Sequence, residues 1–206
     1  MRYFTRQQHE AYNSTDPGIA AAAIGEFNRS CDLYRRQLNV LRPRLPDDVW
    51  TFFDSVSLHD GTLLVLRVGD DIDKRFPTHR SILVNKRRLS VELEILNHDE
   101  TRLFTLRYDR LHRVVFDFPT AVPWYSRFAD PASDPIDDWM SDEVTAVDEK
   151  VLRHEVLFSS GATLLLEFET ISLRSTAVEG RTGLPHIDPD EETGEGGGPN
   201  EIDSHT

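Results

Sequence analysis

Apolar residues in the first third of the chain recur at helical spacing. Ala20, Ile24, Phe27, Cys31, Tyr34, Leu38 and Leu41 follow alternating steps of four and three, giving one continuous stripe. Glu26, Arg29, Arg36 and Arg42 occupy the opposite face. The pattern predicts a long helix. Asp16-Pro17 opens it, because an aspartate accepts from free N–H groups and proline suits the first turn. Pro43 ends it near Leu41. Ahead of it, Thr5-Arg6-Gln7-Gln8 has the capping-box spacing and predicts a short helix through about Tyr12. Pro46-Asp47-Asp48 opens a third helix through about Phe53, with Val49, Trp50, Phe52 and Phe53 as its bulk.

The period then changes from helical to strand-like. Thr62 to Val68 is apolar on both faces and reads as a central strand. Leu89, Val91, Leu93 and Ile95 alternate with polar residues, as do Phe104, Leu106 and Tyr108. Further strands are expected at Arg113 to Phe118, Glu143 to Val147, Val151 to Phe158 and Thr163 to Phe168, with Ile171 to Arg174 extending the last. Ser159-Ser160-Gly161-Ala162 makes a hairpin turn between two of them. Short links without intervening helices demand antiparallel pairing, since parallel neighbours need long crossovers. The expected class is α+β: N-terminal helices packed on a curved, mainly antiparallel sheet or partial barrel. One domain spans 1–178, helical over 1–55 and sheet over 56–178. The Gly-, Pro- and acid-rich residues 179–206 read as a disordered tail.

Charge sharpens this picture. The formal net charge is −13 over 206 residues. Eight acids against Arg181 place seven of those negative charges after Val178. An acidic surface repels phosphate backbones, so nucleic acid is not an expected partner; the acid excess reads either as a solubility device or as a surface for a basic protein partner. No run approaches a bilayer span, and Met1 to Arg6 lacks the apolar stretch of a signal peptide. The single cysteine, Cys31, lies within the helical stripe and reads as a small buried hydrophobe. These features point to a cytoplasmic protein without a membrane association.

Candidate chemistry centres on Ser57-Leu58-His59-Asp60-Gly61, where the sheet begins. A histidine can act as base or metal ligand, and a carboxylate can ligate or orient it. In a regular strand the two neighbours would point to opposite faces. Asp60-Gly61 also reads as a turn, with Asp60 bonding local N–H groups. His154 shares a face with Leu152, Val156 and Phe158, as a bonded core histidine does. It is also the residue that could meet His59 across the sheet, with Asp142 and Glu143 adding carboxylates for a metal set. Trp124, Tyr125 and Phe128, in the irregular stretch from Pro119 to Asp138, read as a recognition surface or as a lid over the core. Lys86-Arg87-Arg88 reads as a solvated strand edge. No Gly-rich phosphate loop, G-x-S-x-G elbow or H-E-x-x-H pair occurs, and no cofactor is expected.

Three groups of residues carry a resemblance: Met1-Arg2-Tyr3-Phe4-Thr5, Ser57-Leu58-His59-Asp60-Gly61, and Asp142-Glu143-Val144 with His154-Glu155-Val156-Leu157-Phe158-Ser159-Ser160-Gly161, continuing through Leu164 to Phe168. On these the chain, from Met1 to Arg174, resembles a bacterial domain-of-unknown-function family of uncharacterised proteins. The Leu-His-Asp opening of the sheet is also similar to bacterial immunity proteins that neutralise toxins. That likeness implies a small acidic binder of a basic partner. The expected function is therefore a non-enzymatic protein-binding module. Two alternatives stand beside it. One is a metal-dependent enzyme using His59, Asp60 and His154 with Asp142 or Glu143. The other is a small-ligand binder in the sheet mouth, with Trp124 or Tyr125 as its lid.

Overall fold

A computed structural model describes residues 1–71, 88–117 and 137–178. Three helices come first: α1 (Arg6–Tyr12), α2 (Pro17–Leu41) and α3 (Asp47–Ser55). The caps are those the sequence predicts. The Thr5 hydroxyl accepts from the Gln8 N–H at 3.3 Å, and the Gln8 side chain accepts from the Thr5 N–H at 3.0 Å. Asp16 Oδ1 accepts from Gly18 and Ile19 N–H at 2.8 and 3.2 Å. Each bond satisfies an amide that the helix start leaves open.

Eight strands follow: β1 (Gly61–Asp71), β2 (Arg88–Leu96), β3 (Arg102–Asp109), β4 (Arg113–Asp117), β5 (Asp137–Ala146), β6 (Leu152–Phe158), β7 (Thr163–Phe168) and β8 (Thr170–Ala177). They form one antiparallel sheet in the order β4-β7-β6-β5-β1-β2-β3-β8, which is not closed. β5 begins six residues ahead of the expected strand at Glu143, and its first three residues are the ones that pair with β1. Ile171 to Arg174 belongs to a strand of its own, paired with β3 at the far edge rather than prolonging β7.

Two observations show how strongly the sheet rolls. Only Glu169 separates β7 from β8, yet these strands lie near opposite edges of the strand order. Two Cα steps, from Phe168 to Thr170, span at most about 7 Å, so the edges must curl toward each other. Tyr108 on β3 also reaches His154 on β6, four strands away. In a flat sheet that separation would be about 19 Å. The sheet is therefore a partial barrel. Its concave side is filled by Leu63, Val91, Leu93, Ile95, Leu106, Leu164, Leu166 and Phe168, with Val49, Phe52 and Phe53 of α3 and Leu38 and Leu41 of α2 covering it.

β1 and β5 pair only at Gly61–Leu63 with Asp137–Trp139, then diverge. Helix α2 serves the freed β5 backbone: the Tyr34 hydroxyl accepts from the Val144 N–H at 3.1 Å. Burial first, and then the Asp142 charge, push the Tyr34 phenol well above its ordinary value, so it stays protonated. The expected stripe holds at Leu38 and Leu41, which are buried, but fails at Ile24, which is 44% exposed. There α2 packs on α1 and the segment ahead of it instead of the sheet, with Phe27 against His9 and Tyr12 of α1 and against Phe4. Among the described residues no helix is long and apolar enough to cross a membrane.

Candidate functional site

The sequence candidates separate into two places. His154 is fully buried and both of its ring nitrogens are occupied. The Tyr108 hydroxyl lies 2.6 Å from Nδ1, and Asp142 Oδ2 lies 3.1 Å from Nε2. Asp142 Oδ1 accepts from the Trp139 indole N–H at 2.9 Å. The result is a chain of bonds, Tyr108–His154–Asp142–Trp139, running through the core. The rings reinforce it: Phe53, Tyr108 and Trp139 stand 5.2, 5.7 and 5.9 Å from the imidazole. Burial, ahead of the Asp142 charge, holds the Tyr108 phenol well above its ordinary value. A neutral hydroxyl can donate to His154 Nδ1, which leaves the Nε2–H to donate to Asp142.

Glu143 points the other way, as strand alternation requires. It too is fully buried. Its carboxyl oxygens accept from the backbone N–H groups of Arg2, Tyr3 (2.7 Å) and Phe4 (3.4 Å). The paired residue Glu155 accepts from the Met1 amine at 2.9 Å. These two glutamates therefore hold the segment ahead of α1 against β5 and β6. Of the four polar groups offered as a metal set with His59, Asp142, Glu143 and His154 are committed to internal bonds.

His59 is elsewhere. With Asp60 it lines a cleft of about 460 Å³ between α1, α2 and the end of the sheet where β1 and β5 meet. The other walls are His9, Tyr12, Asn13, Phe27, Trp139, Met140 and Ser159. The structure does not bring His59 to His154, whose nitrogens are both taken inside the core. Among the described residues no group of three or more His, Cys, Asp or Glu is placed to hold a metal ion.

His59 and Asp60 would face apart only in a regular strand, and the entry here is not regular. His59 Nδ1 lies 3.0 Å from Asp60 Oδ2. The cause is the backbone: Asp60 has a left-handed φ of 61°, so the alternation of a regular strand has not yet begun. The turn is as expected, but the Asp60 carboxylate is held by His59 Nδ1 rather than by local N–H groups. Gly61 N–H donates to the Leu58 carbonyl at 2.7 Å, and Asp60 N–H to the Trp139 carbonyl at 2.9 Å. A Cβ at Gly61 would sit 2.8 Å from the Leu58 oxygen and 2.9 Å from the Leu96 oxygen, so the position admits only glycine without movement.

The partner of His59 in the cleft is a residue the sequence reading passed over. His9 shares the cleft, is buried, and holds the Ser141 hydroxyl at 2.7 Å from Nε2. Burial and then His59 push its imidazole below the ordinary value, so it is neutral near pH 7. A signal existed. His9 is the fourth residue after the Thr5 cap and Phe4 is the residue before it, positions that meet across a helix start. Trp124, Tyr125 and Phe128 lie outside the described residues, as do Lys86, Arg87 and the acidic segment 179–206. Cys31 is half-buried, and burial pushes its thiol above the usual range, which suits a packing role. No family model matches this chain, and no curated protein or solved structure matches it either.

Proposed function

We propose that this protein is a non-enzymatic protein-binding module, comparable to an immunity-type protein, that receives a basic partner at the cleft between α1, α2 and the sheet end. The observation that carries this reading is the lining of that cleft. Asp60 is its one carboxylate, and no lysine or arginine is among its lining residues. Tyr12, His59 and Asp60 remain solvent-exposed there, whereas the groups best suited to catalysis, His154, Asp142 and Glu143, are spent on internal bonds. The net charge of −13 favours encounter with a basic surface and steers it at long range. The His9–Ser141 pair has the reach of a base and a nucleophile. Catalysis by such a dyad would also require donors aimed at a developing oxyanion.

The test is affinity capture from the native host, with the full chain as bait. A basic protein recovered near one-to-one supports the reading. Recovery of no stoichiometric basic protein across growth conditions refutes it.

A further inference from the structure

We infer that the cleft is built for a guanidinium group: a partner arginine inserts between Tyr12, Phe27 and His59 and pairs with Asp60. The inference rests on the protein-binding reading above and specifies its anchor. Three features of the cleft converge on this chemistry. The first is charge. The lining carries one exposed carboxylate, 77% accessible at its side chain, and no lysine or arginine. Asp60 Oδ2 is engaged by His59, and Oδ1 takes no partner among the described residues. An anionic ligand would meet the Asp60 carboxylate with no lysine or arginine to offset it, and a purely apolar one would leave Asp60 Oδ1 without a partner.

The second feature is the aromatic wall. Tyr12 and His9 each lie 5.9 Å, centroid to centroid, from Phe27. Tyr12 is half exposed. A planar, weakly hydrated guanidinium stacks on such faces, whereas a compact ammonium keeps more of its water. The third is acceptor number. Besides Asp60, the Asn13 side chain and His59 Nε2 face the same cleft without a bond among the described residues. Arginine brings five N–H donors in a fixed fork and can engage several acceptors at once, which lysine's point charge does not. A cleft of about 460 Å³ falls in the range of ligand sites and exceeds one arginine side chain. Room therefore remains for the flanking residues of the partner.

The experiment is an NMR titration of the full chain with three probes: N-acetyl-argininamide, N-acetyl-lysinamide and the neutral isostere N-acetyl-citrullinamide. The inference expects saturable shifts of the His59 and Tyr12 side-chain resonances with the arginine probe alone. Asp60→Asn should weaken that response about fivefold, the loss of one partly exposed ion pair. Asparagine tolerates the left-handed backbone at this position, so the turn survives the change. Tyr12→Ala should weaken it as well without altering the Asp60 pair. Equal shifts from the citrulline or lysine probe, or an arginine response untouched by Asp60→Asn, overturn the inference. The two proposals fail differently. If a basic protein is captured equally by wild type and Asp60→Asn, the arginine anchor is wrong and the binding reading stands. If wild type captures no basic protein, the binding reading itself falls.

Discussion

Replacing Tyr108 by Phe tests the claim that the His154 chain is structural. The substitution removes one oxygen and keeps the ring, which packs 4.9 Å from Phe168 and 5.7 Å from His154. Tyr108 and His154 are both fully buried, so no water replaces the lost donor at His154 Nδ1. An unpartnered buried acceptor costs about 1–3 kcal/mol. For a domain of this length about 2 kcal/mol lowers the melting temperature by about 4–8 °C. Urea unfolding followed by tryptophan fluorescence reads the change directly, since Trp139 is a member of the same chain of bonds. The same substitution on a His154→Leu background should cost at least about 1 kcal/mol less, because the acceptor it orphans is gone. A loss below about 0.5 kcal/mol for Tyr108→Phe, or the same loss on both backgrounds, would refute the reasoning.

Other consequences are equally concrete. Glu143→Gln puts an amide donor among the N–H groups of Arg2, Tyr3 and Phe4; it should cost about 1–3 kcal/mol and speed hydrogen exchange at those amides, and unchanged exchange would contradict the clasp. Gly61→Ala forces a Cβ against two carbonyl oxygens and should lower stability by about 1–3 kcal/mol in a thermal melt. His9 has a depressed folded value, so the unfolded chain takes up its proton first. The stability it contributes is present above 6.5 and is lost as the pH falls through the folded value. His9→Gln should flatten denaturation midpoints between neutral and mildly acidic pH, and an unchanged slope would exclude His9 as its source.

Local chemistry made much of the fold readable. The caps at Thr5 and Asp16, the turn at Gly161 and the alternation of β2 and β3 each rest on neighbours in sequence. The failures share a cause, which is a partner distant in sequence. The α2 stripe assumes one surface for the whole helix, but Ile24 and Leu38 face different neighbours because α1 folds back on the first half of α2. Asp137-Asp138 looks like loop sequence. It begins β5 because the Asp137 carboxyl accepts from Ser159, Ser160 and its own neighbour's N–H across the hairpin. His154 on its apolar face is recognisable as a core histidine. Its bond to Tyr108 is not, since only the rolling of the sheet brings β3 over β6. At the site, the His59–Asp60 segment was legible as the start of the sheet. The left-handed Asp60 turned the pair toward each other, and His9 arrived from a helix fifty residues earlier in the chain.

The most direct test of the central claim compares two baits in one native-host lysate: the wild-type chain and an Asp60→Asn, Tyr12→Ala variant with an unchanged melting temperature. Quantitative mass spectrometry reads what each retains. A cleft that receives a basic partner predicts one basic protein retained near one-to-one by wild type and depleted at least about fivefold on the variant. Equal retention by both baits, or no stoichiometric basic protein on wild type, would contradict it.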